Sequence, residues 1–306
     1  MKTLGIDLGG TKIAAAAVED GRILCQTRVD TPQAGFESVL DAMASAARVV
    51  LNEHPDIDRV GVGSPGPIDF VRGMVVFAPN IPGMDGAPIV AGLESRLKLP
   101  VALENDANAA GLAEHLFGAA RDVKNSIYLT ISTGIGGGVL VGDSIIHGKH
   151  GLAGEVGHMT LQPGGPLCGC GYHGCWESLA SGRAIAREAS FSYGRRLSTV
   201  EVFKRAQEGE WRALKVVDNA AFYTGVALAN LLKALDPDCF VIGGGMSQVG
   251  PFYIDKIQAA ADSYCQGFPK VMIRLAQLGV DAGVIGAASV TGVAGVAGAA
   301  NVGSGG

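Results

Sequence analysis

The chain has 306 residues, 48% hydrophobic and 17% charged, with a formal net charge of −5. This is the composition of a soluble globular protein long enough for two domains. The negative balance, with no Lys/Arg block, argues against a nucleic-acid surface, and no apolar run approaches the roughly 20 residues that span a bilayer.

The amino terminus enters strand-like sequence at once and lacks a signal-peptide core, which points to the cytoplasm. Residues 3–8 (TLGIDL) read as a strand running into Gly9-Gly10-Thr11-Lys12. A strand over 13–19, a turn at Asp20-Gly21-Arg22 and a strand over 23–29 follow. Phe36, Val39, Leu40, Met43, Ala47, Val50 and Leu51 recur at helical spacing and predict a helix over 36–53. Strands are expected at 60–63 and 101–103, and helices at 86–98 and 107–117. Residues 127–132 (IYLTIS) repeat the opening pattern: a strand, a glycine-rich turn over 133–138, then short strands at 139–141 and 144–147 about a turn at Gly142-Asp143. The longest helical pattern covers 213–235 and stops at Asp236-Pro237. The strand 239–242 then opens into Gly243-Gly244-Gly245. Two echoing units with alternating elements imply an α/β protein of two similar domains. The glycine-rich tail from about 292 is expected to fray.

Three glycine clusters are candidate nucleotide contacts. In Asp7-Leu8-Gly9-Gly10-Thr11-Lys12, backbone N–H groups and the Thr11 hydroxyl suit phosphate oxygens, and Asp7 suits a magnesium-bound water. A tight hairpin capped by Asp7 explains the same residues equally well. The spacing is not that of a Walker loop, and a strand rather than a helix follows, so it is not a Rossmann fingerprint. Thr133-Gly134-Ile135-Gly136 occupies the matching place in the second unit. Gly243, Gly244 and Gly245 leave room for a ribose or flat ring, or simply for close helix–strand packing. Glu104-Asn105-Asp106 ends a strand and opens a helix. Asp106 reads either as an N-cap or as a general base for a substrate hydroxyl attacking a γ-phosphate, with Asn105 on a neighbouring hydroxyl.

Three of the six cysteines crowd into GHMTLQPGGPLCGCGYHGCWE. His158, Cys168, Cys170 and Cys175 suit a structural zinc ion with no open position, and His173 competes with His158 as the fourth ligand. Cys25, Cys239 and Cys265 are scattered in apolar surroundings and read as buried free thiols. Glu155 and Glu177 flank the cysteine loop. Either is a solvated surface carboxylate or an acceptor for vicinal hydroxyls of a polyol.

Together these residues resemble the ROK family (repressors, open reading frames and sugar kinases), and among its members the bacterial ATP-dependent glucokinases. The resemblance rests on Asp7–Lys12, Ser64-Pro65-Gly66-Pro67, Ala78-Pro79-Asn80, Glu104-Asn105-Asp106, Thr133–Gly138, Gly154-Glu155-Val156-Gly157-His158, the Cys-Gly-Cys-Gly-x-x-Gly-Cys-x-Glu run and Gly243–Gly245. It implies an actin-like ATPase (ribonuclease H-like) fold with two similar domains flanking a cleft. The small domain would hold 1–118, with a helix near 285–297 returning to it. The large domain would hold 119–284 with the zinc loop, leaving 298–306 as a tail. The implied sugar ligands are Gly66, Asn80, Asn105, Asp106, Glu155, His158 and Glu177, with Asp106 as base. ATP with Mg²⁺ would meet Asp7, Gly9, Gly10, Thr11, Lys12, Thr133, Gly134 and Gly136, its adenosine near Gly243, Gly244 and Gly245. The implied activity is phosphorylation of glucose to glucose 6-phosphate by a homodimer or homotetramer that binds neither nucleic acid nor membrane. Other readings are a kinase for fructose, mannose or an N-acetylhexosamine, or a sugar-sensing regulator without turnover. Family repressors carry a helix-turn-helix before the first phosphate motif, for which Asp7 leaves no room.

Overall fold

The computed structural model describes residues 1–78 and 80–292, and all structural statements concern these. Pro79, the tail 298–306 and the end of the helix expected over 285–297 lie outside them. In chain order the elements are β1 (Lys2–Leu8), β2 (Lys12–Glu19), β3 (Arg22–Asp30), α1 (Phe36–Glu53), β4 (Val60–Ser64), β5 (Ile68–Asp69), β6 (Met74–Val75), α2 (Ile89–Leu97), β7 (Val101–Asn105) and α3 (Asp106–Leu116). There follow β8 (Asn125–Ile131), β9 (Ile135–Val141), β10 (Ser144–Ile145), α4 (Trp176–Ala180), α5 (Gly182–Tyr193), α6 (Thr199–Gln207), α7 (Trp211–Leu235), β11 (Cys239–Gly243), α8 (Pro251–Tyr264), β12 (Ile273–Leu275) and α9 (Ala282–Ser289).

Two five-stranded sheets share one topology. The first runs β3-β2-β1-β4-β7 and the second β10-β9-β8-β11-β12. In each, a leading antiparallel meander is followed by two strands parallel to its first member. The chain gathers into two compact units. Among the described residues, one comprises Met1–Lys124, Gly138–Gly154 and 277–292; the other comprises Asn125–Gly137 and Glu155–Ala276.

In the first unit β1 is covered on both faces, so it reads as a nearly continuous apolar run rather than an alternating one. Val39, Leu40, Met43, Ala46, Ala47 and Val50 of α1 bury one stripe in the core that includes Leu4, Ile6 and Leu8. On α9, small residues allow close approach. A Cβ at Gly61 would overlap the Ala287 carbonyl, and one at Gly286 the Ala109 carbonyl. In the second unit α7 stops at Asp236, whose φ of 46° is left-handed, and Pro237 prevents continuation.

Two expectations about local structure change. Gly136–Gly138 are not part of a turn, because β9 already begins at Ile135. Three glycines in a row lack the apolar alternation that marks a strand, so this start of β9 has no local signature. Cys25 is only half-buried, unlike Cys239 and Cys265, because β3 is the edge strand of its sheet.

Candidate active site and metal centre

In the first unit the parallel register aligns Asp7 with Gly63, Gly63 with Glu104, and Ser64 with Asn105. Three motifs therefore emerge at the carboxyl ends of adjacent strands, the usual place for ligands in α/β sheets. The Gly9–Lys12 turn is closed by Gly9 N–H donating to the Lys12 carbonyl at 2.9 Å and the Thr31 hydroxyl donating to the Gly9 carbonyl at 2.7 Å. Thr11 and Lys12 are exposed. Asn80 lies beside this turn, 3.6 Å from where a Gly10 Cβ would stand.

The helix cap is Asn105, not Asp106. Asn105 Oδ1 accepts from the N–H of Ala107 at 2.9 Å and of Asn108 at 3.2 Å, and its Nδ2 donates to the Gly66 carbonyl at 3.2 Å. Gly66 holds a φ of 94°, and a Cβ there would enter the Phe77 carbonyl. With capping done by its neighbour, Asp106 is the first residue of α3, its carboxylate accepting from Ala107 N–H at 2.8 Å. Burial pushes the Asp106 carboxyl above the ordinary carboxylate range, against the pull of the Ala107 amide and its own. Asp7 is pushed up to about 7, first by burial and then by the charge of Asp106, while Arg28 opposes the shift. A Cβ on Gly283 would come within 2.6 Å of the Asp7 carboxylate, so this glycine makes the space for it. The pair supplies one buried carboxyl able to accept a proton and a second at a position that suits a cation.

In the second unit the register pairs Thr130 with Gly243. The Thr133-Gly134 and Gly243–Gly245 segments thus leave adjacent parallel strands at the same end. Gly243 and Gly244 are required by packing: added Cβ atoms would stand 2.6 Å from the Tyr128 hydroxyl and 2.6 Å from the Ile131 carbonyl. Glu177 braces the other segment. Its Oε2 accepts from Ile135 N–H at 3.0 Å, its Oε1 from Arg183 Nη2 at 3.3 Å, and a Cβ on Gly134 would run into the carboxylate.

The ligand atoms of His158, Cys168, Cys170 and Cys175 all lie within 4.8 Å of one another. Cys170 and Cys175 sulfurs are 3.6 Å apart, and Cys168 Sγ is 3.6 Å from His158 Nδ1. A tetrahedron with metal–sulfur bonds of about 2.3 Å has edges near 3.8 Å, so the donor set fits zinc. His173 instead bonds the Gly165 carbonyl at 2.9 Å through Nδ1 and stands apart from the cluster. The loop is pinned by Cys168 N–H to the Tyr172 carbonyl at 2.8 Å and Trp176 N–H to the Met159 carbonyl at 2.9 Å. Gly174 takes a φ of 72° against Gln162, where a side chain would clash. Burial, reinforced by hydrogen bonds to Cys170 and Cys168, pushes Cys175 up to about 12. Burial also opposes ionisation of Cys170, but the Tyr172 amide and the two neighbouring thiols hold it below the ordinary thiol value. A bound cation would displace the protons of the two thiols held above the ordinary value, Cys168 and Cys175. Opposite Nδ1, His158 Nε2 is 3.9 Å from Glu155 Oε2.

The ROK family pattern matches residues 3–292. The chain belongs to the ROK family. The glucokinase of Streptomyces coelicolor is 38% identical over 94% of this chain and 96% of its own length. Among solved structures, a ROK hexokinase from Thermus thermophilus superimposes with a TM-score of 0.89 at 47% identity, over 94% of this chain and 97% of that one. A ROK glucokinase from Streptomyces griseus, solved with glucose and AMPPNP, gives a TM-score of 0.82 at 37% identity, over 95% of this chain and 99% of that one. The fold is thus the actin-like ATPase fold.

Two side chains that contact the candidate residues carry no signal in the sequence. Arg183 holds Glu177 and donates its own N–H to the Thr133 carbonyl at 3.3 Å. His147 Nε2 lies 2.6 Å from Oε2 of Glu104, which is wholly buried, while Glu104 Oε1 accepts from Asn105 N–H at 2.8 Å. Neither pairing follows a fixed sequence spacing, and only the tertiary fold brings them together. Among the described residues, no helix is long and apolar enough to cross a membrane.

Proposed function

We propose that this chain is an ATP-dependent sugar kinase that phosphorylates glucose to glucose 6-phosphate. The observation that carries the reading is the buried carboxyl of Asp106, held at the start of α3 with its capping duty taken over by Asn105. Similarity to glucokinases, one of them solved with glucose and an ATP analogue, gives the substrate pair. Asp106 accepts the proton of the C6 hydroxyl as that oxygen attacks the γ-phosphorus. A new P–O bond forms, the bond to the β,γ-bridging oxygen breaks, and ADP leaves with the bond's electron pair. Positioned proton transfer of this kind is worth about 10²–10⁴-fold.

Gly66, Asn80, Asn105, Glu155, His158 and Glu177 are the residues we assign to the sugar. Asp7, Gly9–Lys12, Thr133, Gly134 and Gly136 are assigned to the phosphates and Mg²⁺, and Gly243–Gly245 to the adenosine. Glu177 enters with a qualification from its contacts: its carboxylate already braces Ile135 and Arg183, so it orders the phosphate segment as well. We assign zinc to His158, Cys168, Cys170 and Cys175, where it orders the loop carrying Glu155 and Glu177. In this reading the domains are 1–118, with the returning helix, and 119–284. The enzyme works in the cytoplasm at the entry to glycolysis, as a homodimer or homotetramer.

A coupled ADP-release assay with ATP and glucose, mannose, fructose or N-acetylglucosamine tests the activity. Glucose is expected to give the highest kcat/KM. ADP release from none of the four would overturn the kinase reading, and a clear preference for another sugar would overturn the glucose assignment. Light scattering reads the assembly.

A further inference from the structure

We propose that Cys25, Glu53 and His54 form a separate divalent-cation site, suited to zinc, that ties the end of α1 to the edge strand β3. Their ligand atoms lie within 4.8 Å of one another, and one thiol, one imidazole and one carboxylate make a mixed set that zinc accepts. The place is built by three local features. The register of β2 with β3 slips between Ala17 and Val18, so that Cys25 pairs with Ala17 while Ile23 pairs with Val18. This leaves Leu24 as the extra residue of a bulge, and bulges re-aim neighbouring side chains at sheet edges. Cys25 packs partly on the core, and its thiol lies within 4.8 Å of the Glu53 carboxylate and the His54 ring. His54 is fixed as the cap of α1 by its backbone N–H, which donates to the Val50 carbonyl at 3.0 Å.

A cation takes the place of the thiol proton, which leaves to solvent, and the three side chains occupy three of four tetrahedral positions. Asp56, which shares the neighbourhood of His54, is committed to Lys2 Nζ at 2.9 Å, so water completes the shell. All three ligands lie outside the set assigned to glucose and ATP, and the inference stands whether or not the kinase reading does.

The test uses untagged full-length protein, stripped of metal and titrated with cobalt and with zinc. Two equivalents are expected. The tighter belongs to the three-cysteine cluster. The weaker carries a thiolate-to-cobalt band of roughly a third of the cluster's intensity, one thiolate against three. Cys25→Ser and His54→Ala should each weaken the second equivalent by at least about tenfold and leave the first. Cys170→Ser should do the converse. Zinc should also slow alkylation of Cys25, read by peptide mass spectrometry, by about tenfold or more. A single equivalent in the parent protein, a second that survives both Cys25→Ser and His54→Ala, or alkylation indifferent to zinc would overturn the site.

Discussion

At the carboxyl end of the first sheet stand two buried carboxyls, Asp7 and Asp106, each pushed above its ordinary range. At the corresponding end of the second stand glycines and hydroxyls, at Ser132-Thr133-Gly134 and Gly243–Gly245. The strand orders match, so topology alone does not assign the roles. What differs is the electrostatics. The first end can accept a proton or face a cation; the second offers neutral backbone donors with which an anion does not compete. The carboxylate beside this end, Glu177, is already engaged by the Ile135 N–H and paired with Arg183.

The comparison breaks most sharply at Asp106. Asp106→Asn keeps shape and removes basicity, so kcat should fall by about 10²–10⁴-fold while calorimetry still detects glucose binding. Near-normal turnover would remove the distinction between the two ends. In the parent enzyme, the raised carboxyl puts the acid limb of the kcat/KM profile above the ordinary carboxylate range, with activity lost as pH falls through it. Next comes the thiol cluster. Metal analysis should find about one tightly held zinc per chain, lost in Cys170→Ser. Activity should drop by about 10–100-fold as the loop loses its anchor. Full activity in metal-free parent protein would show that the second unit orders its carboxylates without a cation.

Much of this was legible because local chemistry was dense. Cys168, Cys170 and Cys175 within one loop, and glycines after buried strands, are patterns whose physical cause is short-range. The strands and the long helices followed for the same reason: the apolar runs around Ile6 and Ile13, and the helical spacing of Val39, Met43 and Val50, are local patterns. The division of labour at Asn105-Asp106 was not legible, because either side chain caps a helix and only the fold shows Asn105 bonded to Ala107, Asn108 and Gly66. Similarly, β9 begins inside a glycine run, where no apolar alternation marks a strand. His147 meeting Glu104 and Arg183 meeting Glu177 depend on chain paths that no spacing encodes.

A smaller effect is expected at Gly134, where the second end relies on bare backbone. Gly134→Ala drives a methyl into the Glu177 carboxylate. Either that side chain or the segment must shift, so the KM for ATP should rise by about tenfold with a lesser effect on that for glucose. An equal change in both would mean that the segment does not discriminate the two substrates.

Asp7 probes what the first end costs the fold. Its folded value of about 7 lies well above the 3.8 of an exposed carboxyl. Below about pH 4 the group is neutral in both states and its ionisation costs nothing. As pH rises toward 7 the unfolded chain ionises first, so stability present in acid is progressively lost; above 7 the penalty is full and constant. The shift sets a ceiling of about 4 kcal/mol. An amide's own desolvation takes back part of it, leaving a gain on the order of 2 kcal/mol for Asp7→Asn at pH 8. In nucleotide-free protein, thermal melts should therefore show Asp7→Asn a few degrees more stable than the parent at pH 8 and a few degrees less stable at pH 4, where only the amide's desolvation remains. A gain independent of pH would trace the effect to packing beside Gly283 rather than to charge. No gain at all would mean that Arg28 compensates Asp7 fully, and the first end would then carry one raised carboxyl instead of two.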